Sequence, residues 1–378
     1  MRKLYIIRDC YVPNIASINR TLALARGYGE LGVQTEVVFI FPNYEKDKVK
    51  AKFLNVSFNY LWEKYCPENK YLKHLLCRLF LMRFILKLQA NDTVILYGTI
   101  NPWYLFFINM KIKIYNEITE HPSVHTEPYG FIGKIQYWAF KKFCQRINGV
   151  LPISPSLSNF FVNEFGIKKN KVCTINMIVD STRFEYIGNI EKKNTITYCG
   201  TISESKDGIS DLLKAFKIVS EENENLTLKL IGGFENAVTR ENVHDFIRSL
   251  GIQNKVIITG VISADQMPLL LSEAKILVLS RPQSKQAQYG FPTKLGEYLM
   301  TANPVVITDV GDFNVYLKDK EDVIYTQPNN YNDFANKLLW VLDNYERAEK
   351  IGMNGKTVAL TCFNYKVEAQ KVLNFIEL

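Results

Sequence analysis

The sequence predicts an α/β protein made of two doubly wound halves, each a parallel sheet covered by helices on both faces. Two observations carry that prediction. Short apolar strands alternate with amphipathic helices almost from end to end, and the 378-residue chain exceeds the length of one ordinary domain. Near-continuous apolar strands joined by helices mark sheets buried on both sides. Length makes two domains the natural expectation.

The elements follow in order. Leu4 to Ile7 reads as a strand, Asp9 to Asn19 as a loop containing Pro13, and Arg20 to Leu31 as a helix ended by Gly32. Strands are expected at Thr35–Ile40, Thr93–Tyr97, Ile112–Asn116 and Gly149–Ile153. Thr174–Asn194 loses the pattern and reads as a linker. A second series opens with a strand at Thr195–Cys199 and a helix at Ile209–Val219, followed by strands at Thr227–Ile231, Val256–Thr259 and Ile276–Leu279. A helix from Pro292 to Met300, a strand at Val305–Thr308, and helices near Tyr331–Asp343 and Tyr365–Ile376 complete it. Ligands of doubly wound sheets sit at the carboxyl ends of the strands, so two such halves are expected to share a cleft.

The net charge of +8 suits phosphorylated ligands or an anionic membrane surface. No basic-aromatic module, helix-turn-helix or zinc knuckle points to nucleic acid. Seven scattered cysteines (Cys10, Cys66, Cys77, Cys144, Cys173, Cys199, Cys362) form no CxxC or Cys/His cluster, which reads as reduced thiols in a cytoplasmic protein without a metal site. The start runs as a strand straight into the fold, without a signal-peptide pattern, and no apolar run is long enough to span a bilayer.

The most informative stretch is Ser280 to Asp312, SRPQSKQAQYGFPTKLGEYLMTANPVVITDVGD. A strand feeds a polar, glycine-containing loop, which feeds a helix with Pro292 in its first turn, where a missing N–H costs nothing. The free amides and positive dipole end of that turn make an anion site. Lys294 and Glu297, three apart, share a helix face. The cation suits a diphosphate and the carboxylate suits vicinal sugar hydroxyls; the plainer reading is one ion pair on an ordinary capped helix.

At this point the sequence resembles glycosyltransferase family 4, the retaining transferases of the GT-B fold, two Rossmann-like domains facing a central cleft. YCGTISESKDGISDLLKAF (Tyr198–Phe216), LIGG (Leu230–Gly233), Asn254–Gly260 and Leu279–Asp312 occur in the family's order, with PISPSL (Pro152–Leu157) and IVDSTRF (Ile178–Phe184) upstream. The phrase at Ser280–Leu299 looks like a bacterial branch, the group 1 glycosyltransferases. The resemblance implies an acceptor-side domain over residues 1–175, a donor-binding domain over 176–360, and a last helix, 361–378, crossing back to the first.

It also implies roles. Lys206 would bind the diphosphate, Gly200 would let its loop pass close to the donor, and Glu297 would bind the ribose as the second glutamate of a Glu-x7-Glu motif. The backbone of Gly290, Phe291, Pro292 and Thr293 would hold donor sugar and phosphates, with Lys294, Arg281 and Gln286 beside it. Lys206 and Lys294 are expected as exposed cations. Tyr289 stands where the first motif glutamate belongs, and Thr201 replaces a common arginine. In the first half, NEITEH (Asn116–His121) occupies the acceptor-side position. Glu120 would orient or deprotonate an acceptor hydroxyl and His121 would contact the donor sugar, although a lone histidine is often structural. Asp9 and Asn14 read as turn or cap residues.

The expected activity is therefore metal-independent, retaining transfer of a hexose from a UDP- or GDP-linked sugar, with no further cofactor. The acceptor would be a glycan or lipid-linked hydroxyl in bacterial surface polysaccharide assembly. The basic, apolar segment Tyr71–Ala90 would contact anionic membrane at its inner face, or else be an ordinary domain helix. Rival readings are a non-catalytic sugar-nucleotide-binding subunit, motivated by Tyr289 and Thr201, and a sugar-nucleotide epimerase. A dehydrogenase is poorer, because Arg8–Arg20 contains no glycine for a GxGxxG turn.

Overall fold

The computed structural model describes residues 3–12, 15–41, 48–62, 69–98, 111–185, 187–188 and 190–378; Asn14 and Cys66 lie outside them. The chain divides into two compact units, Met1–Ile178 with Tyr365–Leu378, and Val179–Asn364.

Unit 1 runs β1 (Leu4–Arg8), α1 (Ala16–Glu30), β2 (Thr35–Phe39), β3 (Val56–Tyr60), α2 (Lys70–Ile85), β4 (Thr93–Tyr97), β5 (Lys113–Ile118), α3 (Pro122–Thr126), α4 (Gly130–Arg146), β6 (Gly149–Pro152) and α5 (Pro155–Asn163). Unit 2 holds β7 (Lys193–Cys199), α6 (Glu204–Asp207), α7 (Ile209–Glu222), β8 (Thr227–Ile231), α8 (Ala237–Ser249), β9 (Val256–Gly260), α9 (Met267–Ser272) and β10 (Ala274–Leu279). It continues with α10 (Lys285–Tyr289), α11 (Thr293–Met300), β11 (Val305–Thr308), β12 (Ile324–Thr326), α12 (Tyr331–Asp343) and α13 (Tyr345–Cys362), before α14 (Tyr365–Ile376) returns to unit 1.

Each unit contains one six-stranded sheet, ordered β3-β2-β1-β4-β5-β6 and β12-β11-β10-β7-β8-β9, with every pairing parallel. Both orders are the doubly wound pattern, reversing direction at β1/β4 and at β7/β10. Alternation along β1 shows how unit 1 is layered. Leu4 and Ile6 join a core with Ile18, Leu24 and Tyr28 of α1 and Val372 and Ile376 of α14. Tyr5 points to the other face and meets Phe84 of α2, ring centroids 5.5 Å apart.

Polar groups tie this layer together. Arg20 bonds Glu117 at 2.5 Å and the carbonyls of Ile175 and Asn176, while Glu368 of α14 accepts from the backbone and side-chain amides of Asn176, both at 3.0 Å. Cys10, Cys144, Cys173, Cys199 and Cys362 are free thiols.

Four differences from the sequence reading have a plain physical reason. The first helix starts at Ala16 rather than Arg20, because Ala16–Asn19 carries nothing that stops a helix, and Pro13 acts only on what precedes it. β3 and β12 escape the pattern: β3 is a half-buried edge strand with polar residues between its aromatics, and β12 has three residues. Pro292 sits just before α11 with extended backbone (φ −73°, ψ 121°), so it precedes the first turn instead of forming part of it.

Candidate functional site

The reversal of strand order in unit 2 lies between β7 and β10, so the loops leaving their carboxyl ends, Gly200–Thr201 and Ser280–Arg281, flank the position where doubly wound sheets take ligands. Gly200 has φ +147°, and a Cβ there would overlap the Lys294 ammonium and crowd the Tyr198 hydroxyl. Glycine is therefore dictated by backbone conformation and by the cation packed against it.

Lys294 is not an exposed cation. Its Nζ lies 2.7 Å from Asp207 Oδ2 and 3.1 Å from the Tyr198 hydroxyl, and 4.5 Å from the Tyr198 ring centroid. Tyr198 in turn donates to Asp207 Oδ2 at 2.7 Å. Buried Arg281 brings its Nε to 3.9 Å from Asp207 Oδ1 and to 3.4 Å from the Lys206 carbonyl. Burial alone would raise the Asp207 carboxyl, but the charge and hydrogen bond of Lys294, with Arg281 behind them, hold it below the ordinary range. Burial and the Asp207 charge push the Tyr198 hydroxyl well up. Two cations around one carboxylate leave the cluster net positive, and half-buried Lys206 stands next to it on α6. Asp207 and Tyr198 were missed in the sequence; the aspartate before the αL glycine of SKDG was the available signal.

Lys294 and Glu297 do not pair with each other, as the plainer sequence reading had it. Arg183, on the 3-10 turn Ser181–Phe184, holds Glu297 Oε1 through Nη1 and the Ala264 carbonyl through Nη2 at 2.6 Å. Lys294 instead reaches back to α6 and β7. Pro292 supplies no side-chain cap to α11, and no acidic residue occupies the first turn. The amides at Thr293 and Lys294 thus begin an uncapped helix end beside the positive cluster. Phe291 anchors the approach by packing on Phe313, Phe363 and Tyr316. Upstream, α10 is capped by Ser284 and carries half-buried Gln286 and Tyr289, and the Gly290 amide closes it on the Gln286 carbonyl at 3.0 Å.

In unit 1 the reversal lies between β1 and β4. There the Arg8 guanidinium stacks 3.5 Å from the Tyr97 ring centroid and bonds Ser17 Oγ of α1 at 3.0 Å. Arg8 is 6 % exposed, and among the described residues its Nε and Nη1 have no hydrogen-bond partner, nor does either side-chain polar atom of Asn116. His121 is buried and caps α3, its Nδ1 accepting from the Ser123 amide at 3.2 Å, which leaves the ring proton on Nε2. Its ring packs on Phe160. Glu120 lies 2.8 Å from His125 Nε2, a contact the sequence did not suggest. Asp9 is half-buried, and its desolvation pushes the carboxyl up. Among the described residues no three His, Cys, Asp or Glu gather as metal ligands, and no helix is long and apolar enough to cross a membrane.

Residues 180–358 match the family model described as glycosyl transferases group 1. An uncharacterized glycosyltransferase of Methanocaldococcus jannaschii is 22% identical over 301 residues, 73% of each chain. Mannosylfructose-phosphate synthase of Agrobacterium fabrum is 19% identical over 243 residues, 60% of this chain and 52% of that enzyme. Among solved structures, sucrose-phosphate synthase from Thermosynechococcus elongatus superposes with a TM-score of 0.78 at 14% identity, covering 100% of this chain and 98% of that one. HepE of Anabaena, solved with UDP-glucose, gives 0.76 at 15% identity and full coverage of both. Residues 180–358 thus match the group 1 glycosyl transferase model, set in a chain of GT-B fold.

Proposed function

We propose that the chain is a retaining, metal-independent hexosyltransferase whose unit 2 binds a UDP- or GDP-linked sugar and whose unit 1 serves the acceptor. The observation that carries this is the net-positive cluster of Lys294, Asp207 and Arg281 at the strand-order reversal of unit 2, beside the uncapped start of α11. As the bond from the sugar to the diphosphate breaks, negative charge grows on the leaving phosphate. Lys294 and the α11 amides are fixed before that charge appears, which is where preorganised donors act most, and Lys206 stands beside them. Glu297 would accept from the ribose hydroxyls, and Glu120 and the His121 Nε2–H would serve acceptor and donor sugar. The HepE structure makes UDP-glucose the first donor to test.

The acceptor would be a glycan or lipid-linked hydroxyl in bacterial surface polysaccharide assembly, met at the inner face of the membrane with the 71–90 segment towards anionic lipid. Radiolabelled transfer from UDP- and GDP-sugars, with and without chelator, tests the proposal. Transfer that survives chelation supports it, whereas a strict metal requirement overturns the metal-free step. Tyr289 and Thr201 favour one second reading, a non-catalytic sugar-nucleotide-binding subunit. Donor binding with neither hydrolysis nor transfer would establish that reading.

A further inference from the structure

Two helices of unit 1 each show a stripe of apolar residues to solvent. On α4, Phe131 is 77 % exposed and Trp138 59 %, with Ile132 and Ile135 exposed between them, while Ala139, Phe140 and Phe143 face the core. On α2 and the residue after it, Leu72, Leu75, Leu79, Met82 and Leu86 repeat at spacings of three and four, all exposed, while Cys77, Leu81 and Ile85 face inward. A helix on the surface of a soluble domain carries polar residues on its outer face, and a contiguous apolar patch there marks an interaction site.

The two helices belong to one layer. Phe84 meets Tyr5, placing α2 on the face of β1 opposite α1. The step from β5 through α4 to β6 runs in the same direction across the sheet as the step from β3 through α2 to β4, so right-handed crossovers put α4 on that face too.

We infer that α4 and α2 together form a docking surface for an anionic lipid bilayer. Neither helix contains an aspartate or glutamate. Lys134, Lys142 and Arg146 are exposed on α4, as are Arg83 on α2 and Lys87 just beyond it; among the described residues Glu127, three residues before α4, is the one exposed acid close by in sequence. A protein partner would account for the leucines but not for lysines set among them, since protein interfaces are depleted in lysine. Apolar side chains that enter the acyl boundary, aromatic rings at the headgroups and cations against lipid phosphate account for all three features. This surface is separate from the transfer chemistry, so it stands or falls without a donor present.

The test is co-sedimentation of the full chain with vesicles of phosphatidylcholine alone and of equimolar phosphatidylcholine and phosphatidylglycerol. The intact chain should bind the anionic vesicles, bind the neutral ones about tenfold more weakly, and lose affinity as salt rises. Phe131→Gln/Trp138→Gln changes only exposed positions, and an unchanged melting temperature would verify its fold. It should bind the anionic vesicles at least about tenfold more weakly, and Leu75→Gln/Leu79→Gln should also weaken binding. No sedimentation of the intact chain, or equal binding by the folded variants, overturns the proposal. Dimerisation abolished by the same variants, without vesicle binding, would assign the surface to a second copy of the chain instead.

Discussion

Arg183 holds Glu297 from 114 residues away in sequence, using Nη1 for Oε1 while Nη2 is fixed on the Ala264 carbonyl. This ties the carboxylate to the chain entering unit 2 rather than to its helix neighbour Lys294. If Glu297 reads the ribose, Arg183 sets which way the carboxylate faces. Glu297→Gln keeps shape but offers one hydroxyl an amide donor, and calorimetry should show nucleoside diphosphate binding weakened by about 1–3 kcal/mol. Arg183→Met, which leaves the carboxylate unheld, should weaken binding less, and a 2′,3′-dideoxynucleotide should bind parent and Glu297→Gln alike. Equal nucleotide affinity in parent and Glu297→Gln would leave a structural role alone.

Lys206 and Lys294 separate by stability. Lys206→Ala should move the unfolding free energy by no more than about 0.5 kcal/mol, as is usual for a site with no buried partner, while weakening diphosphate binding. Lys294→Met leaves buried Asp207 with only Arg281 and the Tyr198 hydroxyl beside it and should cost about 1–3 kcal/mol. Asp207→Asn in the Lys294→Met background should recover part of it. Urea unfolding of the three variants checks the order.

Arg8 carries buried donors without partners among the described residues, an arrangement that costs stability unless a ligand fills it. Arg8→Met keeps the apolar stem over Tyr97 and removes the desolvated charge. Its unfolding free energy should rise by about 1 kcal/mol while transfer falls, the signature of a group kept for activity. A variant that melts lower and transfers normally would mark Arg8 as structural.

Two carboxyls act on stability in opposite directions with pH. Asp207 is depressed in the folded state, so its contribution is present above the unfolded carboxylate pKa and disappears as pH falls through its lower folded value. Glu368 is raised, chiefly by burial, so its contribution is full below 4.5 and is lost as pH climbs through the higher folded value. Glu368→Gln should therefore flatten the decline in stability just above 4.5, and Asp207→Asn should flatten the acid limb. Thermal unfolding across pH reads both.

Strands such as Thr93–Tyr97 and Val305–Thr308 were legible because parallel strands buried on both faces read as short apolar runs. β3 was not, since an edge strand half in water needs no such run. The site divides similarly. Gly200, Lys206, Lys294 and Glu297 lie in local phrases that a resemblance can carry. Their partners lie in such phrases too, but the pairings do not: Asp207 joins Lys294 across 87 residues and Arg183 joins Glu297 across 114. Only folding brings such pairs together, and a spacing of three on a helix suggested the wrong one.

The return of α14 to the α1 layer sets the order of biosynthesis against the order of the chain. Residues Val179–Asn364 can close their own sheet as soon as they leave the ribosome. The sheet begun by β1 must wait for Val372 and Ile376, which are completely buried against it. Until then Leu24 and Tyr28 lack part of their cover, so the nascent chain passes through an interval in which its earliest residues are its least protected. A stop codon ahead of Tyr365 would make that interval permanent and hand the first unit to chaperones and proteases, while leaving the second intact.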